Sequence, residues 1–165
     1  MLPEDRKTQG IFPPQSISFN VTISRLKSLV RRGILNERRE RSTVQQHMHD
    51  LQIKAPAPES SIADLSGGNQ QKCVLAKMLH AKCRVLLVDE PTRGVDVAAK
   101  FEIYQTLADL ADRKRVAIVM VSSELPEVLG LADRVLVMCQ GRLAAEFSRE
   151  DATEEKVMRS ATQSA

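Results

Sequence analysis

The chain has 165 residues, of which 42% are hydrophobic, and a formal net charge of +3 at pH 7, as expected for one globular domain or part of one. The longest apolar run, residues 116–121, is far below the roughly 18 residues that predict a membrane-spanning helix, and the charged residues 1–10 lack the pattern of a secretion signal. The chain is therefore expected in the cytoplasm, with any membrane role supplied by a partner.

Two helical stretches are predicted between residues 16 and 53, with Gly33 as the break between them. This region is basic, but it has no interleaved aromatic residues for base stacking, so a solvated or partner-docking face is favoured over a nucleic-acid patch. His47 and His49 are two residues apart on the second helix, point in different directions and are predicted to lie on the surface. Residues 55–61, which contain two prolines, are predicted to form a loop.

From residue 65 onward the pattern is typical of an α/β protein. Residues 84–89 and 116–121 are apolar strand candidates, and residues 97–111 between them have helical spacing. Strand, helix and strand in this order predict a parallel crossover unit. The remaining predicted elements are a short helix at 125–129, two strands at 134–138 and 143–147 with a turn at Gln140 and Gly141, and a surface helix at 151–160.

The first motif is the run Leu65-Ser66-Gly67-Gly68-Asn69-Gln70-Gln71-Lys72, between a loop and an apolar helix. Adjacent glycines at a helix N-terminus let backbone N–H groups approach an anion, and the helix dipole favours negative charge there. Ser66 adds a hydroxyl donor. A plain helix start with flexible glycines explains Ser-Gly-Gly equally well when it is taken alone.

The second motif is an apolar strand that ends in two carboxylates, Asp89 and Glu90. Parallel-sheet proteins bind their ligands at this end of their strands. Asp89 is predicted to hold a magnesium ion through water, and Glu90 to polarise the water that attacks a terminal phosphate. Pro91 then ends the strand, and residues 93–96 form a turn before the next helix. Two carboxylates that merely end a strand are the alternative.

Together, and with one helix between them, the two motifs resemble the signature segment and the Walker B strand with its D-loop in ABC ATPases. The combination with residues 2–7, Gly10, residues 122–127 and residues 132–134 resembles the second ATPase domain of ABC importers for ribose, galactose and xylose. The resemblance implies an α/β fold, a partial P-loop NTPase domain with a helical subdomain and a mainly parallel sheet that lacks the Walker A strand. The implied divisions are a Q-loop region at 1–15, a helical subdomain at 16–64, and the signature helix, Walker B strand, D-loop and rest of the core at 65–165.

The same resemblance implies cofactors, partners and site residues. Two ATPase domains of that family pair head to tail, so that each signature segment faces the phosphate-binding loop of the other. The implied cofactors are ATP and Mg²⁺. The implied partners are another ATPase domain, membrane-spanning permease subunits on whose cytoplasmic side the chain would sit, and indirectly a periplasmic sugar-binding protein; nucleic acid is not expected. The implied site residues are Glu90 as the catalytic residue, Ser66, Gly67, Gly68, Gln70, Asp96 and Ser123 for the nucleotide, and Asp89 and Glu4 for the metal.

The sequence departs from a complete ATP site in three places. It contains no Gly-x-x-x-x-Gly-Lys followed by Ser or Thr, the loop that wraps phosphates in backbone N–H groups. Glu4 and Ser123 occupy positions where the family has a glutamine and a histidine, and a serine cannot share a proton near neutral pH. The chain alone is therefore expected to be inactive as an ATPase. The resemblance also implies that the strand leading into Walker A lies between the strands at 116–121 and 134–138. Without it their edges are unpaired, so the isolated chain is expected to be marginally stable or to associate.

Two further readings stay open at this point. One is a non-catalytic interaction module that docks on a transporter or on another ATPase. The other is a nucleic-acid-associated ABC ATPase that uses the basic helices, against which the absence of flanking heptads weighs.

Overall fold

The computed structural model describes residues 1–162. Short helical turns cover Arg6–Gly10, Ile23–Leu29 and Ile62–Asp64. The helices are α1 (Ile17–Thr22), α2 (Glu37–Asp50), α3 (Gly67–His80), α4 (Val97–Asp112), α5 (Leu125–Leu131) and α6 (Glu154–Thr162). The strands are β1 (Val30–Arg31), β2 (Ile34–Leu35), β3 (Val85–Asp89), β4 (Ala117–Val121), β5 (Arg134–Cys139) and β6 (Arg142–Ser148).

Polar side chains mark where the longer helices begin. Asn36, Ser66 and Asp96 precede α2, α3 and α4, and the side-chain oxygen of each accepts a backbone N–H bond from the first turn. Such caps satisfy donors that a helix leaves unpaired at its start. The starts of these three helices are thus set by local sequence.

The region predicted as two helices contains an additional hairpin. β1 and β2 pair antiparallel, with Val30 opposite Leu35, around Gly33 at a φ of 83°. Strands of two residues carry too little periodicity to be recognised in a sequence. Val44 of α2 is 0% exposed, and Leu51, which follows the helix, is 5% exposed.

The predicted crossover unit is confirmed. β3 and β4 are neighbours in one sheet, joined through the bond from the Ala117 N–H to the Arg84 carbonyl (3.0 Å), with α4 between them in the sequence. Leu2 forms a parallel bridge to Val88 of β3 and is fully buried. This bridge places the residues that follow Leu2 beside the C-terminal end of β3.

The chain consists of two compact units, of which the first is Met1–Met120 and the second begins at Val121. In the second unit, β5 and β6 form the predicted hairpin, with Gln140 and Gly141 at φ angles of 49° and 76° in its turn. Val135, Val137 and Val157 of α6 form its core. The predicted division of the chain at residues 16 and 65 stays a prediction.

Within residues 1–162, none of the helices combines the length and hydrophobicity that crossing a lipid bilayer would require.

Candidate functional site

The start of α3 presents the hydroxyl group of Ser66 to solvent. Ser66 is exposed, and its Oγ accepts from the backbone N–H of Asn69 (3.4 Å) and from Asn69 Nδ2 (3.0 Å). The helix runs for 14 residues behind it, so the partial positive charge of its dipole lies at this end. The arrangement suits a negatively charged ligand group.

The two glycines of the signature segment allow close packing. A Cβ atom at Gly67 would lie 2.5 Å from Arg6 Nη2 and 3.0 Å from the Gly94 carbonyl oxygen. A Cβ atom at Gly68 would lie 2.5 Å from the Cβ of Ala99 in the first turn of α4. Both glycines therefore have a packing role beyond the anion approach predicted from the sequence: they bring the start of α3 against the loop that precedes α4.

The C-terminal end of β3 leads into that loop, residues 91–96, through a left-handed residue. Asp89 ends the strand with its backbone N–H bonded to the Leu2 carbonyl (3.0 Å), and Glu90 follows with a φ of 44°. Both carboxylate residues are half-buried.

The loop of residues 91–96 is a tight turn held by local hydrogen bonds. The Arg93 N–H bonds the Glu90 carbonyl, the Val95 N–H bonds the Thr92 carbonyl (3.2 Å each), and Gly94 has a φ of 65°. Its last residue, Asp96, is exposed and caps α4 by accepting from the Ala99 N–H (2.9 Å). A left-handed residue at position 94 favours glycine.

Glu4, predicted as a metal ligand, is instead engaged with the loop in this structure. Its carboxylate forms an ion pair with the guanidinium of Arg93, and both side chains are about half exposed. Within residues 1–162 no group of three or more histidine, cysteine, aspartate or glutamate side chains is arranged to hold a metal ion. The oxygen donors of Asp89 and Glu4 match the chemistry of Mg²⁺, which takes one or two carboxylates and completes its shell with water and phosphate. The metal role of the two carboxylates stays a prediction.

Three polar residues on α3 turn into the protein. Gln70 donates to the Ile62 carbonyl (3.2 Å), and Gln71 donates to the Pro91 carbonyl (2.8 Å). Lys72 is the third, and each of the three residues is at least nine-tenths buried. Gln70, predicted to bind nucleotide, thus has a buried partner within its own chain. Gln71 ties the helix to the start of the 91–96 loop, a contact that no spacing in the sequence indicates.

Arg6 is a residue of this site that the sequence did not single out. Its Nη1 donates to the Arg93 carbonyl (2.8 Å) and its Nη2 to the Gly94 carbonyl (3.1 Å), with 9% of the residue exposed. Burial lowers the pKa of the guanidinium and the charge of Asp5 opposes that effect, yet arginine keeps its proton in proteins. The one signal in the sequence that could have pointed to Arg6 is its place in residues 2–7, which resemble the sugar importer ATPase domain.

Ser123 lies in the second unit and is exposed. The preceding Ser122 hydroxyl bonds the Glu127 carboxylate, and Glu127 is buried. The other predicted site residues all lie in the first unit. There the structure brings the signature segment, the end of β3 and the 91–96 loop into direct contact.

Comparison with known proteins agrees with these motifs. The model of the ABC transporter family matches residues 4–93. The xylose import ATP-binding protein XylG of Moorella thermoacetica is 51% identical over 162 residues, which are 98% of this chain and 32% of that protein. The ribose import ATP-binding protein RbsA 1 of Streptomyces coelicolor is 51% identical over 162 residues, with the same two coverages. The chain therefore spans 32% of the length of these curated relatives.

Solved structures show the same fold. A bacterial ABC transporter cassette determined as a dimer has a TM-score of 0.71 at 21% identity, over 84% of this chain and 59% of that one. An ATP-binding cassette dimer bound to ADP and phosphate in a post-hydrolysis state has a TM-score of 0.70 at 20% identity, over 86% and 60%. The predicted partial ABC ATPase fold is confirmed, and with the family match and the relatives it shows that this chain belongs to the ABC transporter family, among relatives that are sugar import ATP-binding proteins.

Proposed function

We propose that this chain is an ATP-binding component of an ABC importer that couples ATP hydrolysis to sugar uptake, and that it donates its signature segment to the ATP site of a partner ATPase domain. Relatives at about half identity over nearly the whole chain are named as xylose and ribose import ATP-binding proteins.

The observation that carries the proposal is the half-site in the first unit. Ser66 and Asp96 are both exposed and lie at the starts of α3 and α4. The two helices pack closely at Gly68, and Gly67 contacts the loop between β3 and α4. The sequence has no phosphate-binding loop to face them. A nucleotide bound here needs that loop from another domain, as expected for ATP held between two domains.

The residues present fit ATP and Mg²⁺ as one side of such a site. The helix dipole and the Ser66 hydroxyl suit the terminal phosphate, and Asp89 offers the oxygen ligand that Mg²⁺ prefers. When bound, Mg²⁺ neutralises part of the negative charge on the phosphates. Glu90 would orient and polarise a water molecule at the end of β3. Ser123 stands where the family has a histidine, and its hydroxyl cannot share a proton near neutral pH as an imidazole does.

The remaining partners follow from the same proposal. Membrane-spanning permease subunits would carry the sugar and hold this chain at the cytoplasmic face of the membrane, and a periplasmic sugar-binding protein would act indirectly. The basic residues of α2 are available for such docking.

The test is ATP turnover of this chain co-expressed with an ATPase domain that contains an intact phosphate-binding loop. We expect Ser66→Ala to lower turnover of the co-purified pair by about 100-fold, as for the loss of one preorganised donor to a developing charge. Ser42→Ala, an exposed serine on α2, is the matched control and should leave turnover unchanged.

A second candidate is a non-catalytic interaction module, which is favoured by a serine at position 123 where the family has a histidine. Under that reading the pair still forms, but Ser66→Ala has no effect on ATP turnover. An unchanged rate in the Ser66→Ala pair would therefore overturn the donated signature and leave docking as the function.

A further inference from the structure

Residues 4–10 contact the 91–96 loop through two side chains, Glu4 and Arg6. The Glu4 carboxylate pairs with the Arg93 side chain, and the Arg6 guanidinium donates to the carbonyl oxygens of Arg93 and Gly94 at 2.8 and 3.1 Å. The first contact is half exposed and contributes little by itself. The second is largely buried and charge-assisted, so it is the stronger of the two.

The same guanidinium also lies against the signature segment. A Cβ atom built on Gly67 would lie 2.5 Å from Arg6 Nη2. A Cβ atom built on Gly94 would lie 3.8 Å from Arg6 Nη1 and 3.9 Å from Arg6 Nη2. One side chain therefore contacts the start of α3 and the middle of the loop. The Nε of Arg6 has no hydrogen-bond partner among the described residues, so its two terminal nitrogens make all of its hydrogen bonds.

The turn that carries Arg6 is itself well held. Asp5 accepts from the Lys7 N–H (2.9 Å), and the Ile11 N–H bonds the Arg6 carbonyl (2.9 Å). A Cβ at Gly10 would lie 3.2 Å from the Cβ of Arg6 and 3.3 Å from a methyl group of Val74 on α3. The base of the Arg6 side chain is thus packed in place.

The loop has local hydrogen bonds from the Arg93 and Val95 N–H groups (3.2 Å each), and Gln71 holds its first residue through the Pro91 carbonyl. Its centre is a glycine in the left-handed region, whose carbonyl accepts from Arg6. Glycine has many accessible conformations. Without Arg6, two carbonyl groups beside this glycine would lose their charged donor.

We propose that Arg6 is a positioning residue, which fixes the 91–96 loop against the start of α3 so that Ser66 and Asp96 are presented to a partner's nucleotide in one fixed arrangement. This inference rests on the proposed function for its consequence in ATP turnover, but its structural part stands on the contacts above. Arg6 itself touches no reacting atom; it acts through the loop.

The structural part is tested by amide hydrogen exchange on the purified full chain, read by mass spectrometry at submicromolar concentration, below the range in which the chain is expected to associate. Arg6→Met keeps an apolar stem and removes both donors. We expect the amides of Arg93 and Val95 to exchange about tenfold faster in Arg6→Met, as for the loss of a hydrogen bond to a charged group, while β3 and α3 amides keep their rates. Arg6→Lys, which can still reach one carbonyl, should give an intermediate rate, and Lys7→Ala, which removes an exposed charge from the same turn, should change nothing.

The functional part is tested in the co-expressed pair. We expect Arg6→Met to lower kcat for ATP by about tenfold or more, since a misplacement of about 1 Å at a catalytic site costs up to 100-fold, and Arg6→Lys to restore part of it. Unchanged loop exchange in Arg6→Met overturns the inference whatever the turnover. Faster loop exchange with unchanged kcat in an active pair overturns the link to catalysis. If Ser66→Ala leaves the turnover of the co-expressed pair unchanged, the proposed function is contradicted instead. The hydrogen-exchange result then still decides whether Arg6 positions the loop.

Discussion

Lys72 carries a charged ammonium group into the interior of the first unit. The residue is 1% exposed, and its Nζ lies 2.6 Å from a carboxylate oxygen of Glu102 on α4 and 3.1 Å from the Gln52 carbonyl. The hydrogen bond from Lys72 holds the pKa of Glu102 below its ordinary value, against the opposing effect of burial. The pair joins the signature helix to the helix that follows the 91–96 loop.

Removing the carboxylate should therefore destabilise the chain. We expect Glu102→Gln to lower the free energy of unfolding by about 2 kcal/mol, because Lys72 loses its charged partner but stays buried. Urea denaturation measures the change. Lys54 also contacts Glu102 at 3.4 Å, but it is 76% exposed, so Lys54→Ala should cost almost nothing. Equal losses in the two variants would contradict the assigned role of Lys72.

At the scale of elements, α2 and α3 meet through two histidine rings. The ring centroids of His47 and His80 are 5.7 Å apart and the rings are nearly perpendicular. His47 is half-buried and His80 is buried, so the prediction that His47 lies on the surface is wrong; His49, with 86% of its side chain exposed, is where it was expected. Helical periodicity placed His47 correctly on α2, but it could not show that His80 from another helix would cover it.

This contact should make stability depend on pH. Burial lowers the pKa of His47, and the charges of His80 and Lys114 lower it further. The charge of Asp50 acts in the opposite direction and raises this pKa. Burial also lowers the pKa of His80, as does the charge of Arg25, while Glu40 opposes and Lys82 reinforces the shift. Because the folded chain disfavours the charged rings, their contribution to stability is complete above the ordinary value near 6.5 and is lost as pH falls below it.

We expect the thermal unfolding midpoint to fall between pH 7 and pH 5, and the fall to be smaller in the double variant His47→Gln and His80→Gln. Scanning calorimetry at a series of pH values measures this. His49→Gln is the control, and a double variant with the same pH profile as His49→Gln would rule out the histidine contact as the source.

At the scale of the whole molecule, the strands expose apolar surface. On β3, Val85 and Leu87 are 57% and 47% exposed, whereas Leu86 and Val88 between them are buried; on β4, Val119 is 53% exposed. Among the described residues β4 has β3 as its sheet neighbour and no strand on its other edge. An open edge beside apolar side chains promotes pairing between chains.

We expect the isolated chain to self-associate at micromolar concentration. Analytical ultracentrifugation should show species larger than 18.4 kDa, and Val119→Lys should shift the distribution toward the monomer because an edge lysine opposes strand pairing. A cooperative, monomeric unfolding transition of the native chain would count against this expectation.

A calorimetric titration with ATP and Mg²⁺ measures whether the isolated chain binds the nucleotide without a partner domain. We expect no detectable binding to the isolated chain, because no phosphate-binding loop is present to wrap the nucleotide. Clear one-to-one binding would show that the chain forms a phosphate site by itself, and the donated half-site would have to be abandoned.

The sequence predicted what depends on local pattern and missed what depends on contacts between segments. The strand at Val85–Asp89, the helix at Val97–Asp112 and the turn at Gln140 and Gly141 were readable from apolar runs, spacing and turn residues. The glycine pair was predicted as part of the site because glycines allow anion approach, but its packing role could not be predicted, since it depends on Arg6, Gly94 and Ala99 from other segments. Arg6, which is 87 residues from its partner Arg93, has no periodicity that could reveal it.

The close approach of Arg6 to Gly67 also limits how this sequence can drift over evolutionary time. The guanidinium occupies the volume that a side chain at position 67 would need, so an alanine at position 67 would displace the arginine from the loop carbonyls that it holds. Shortening residue 6 first removes this contact but leaves the same two carbonyls without their donor. Each single mutational step is therefore unfavourable, and among homologous chains the two positions should be inherited as a pair.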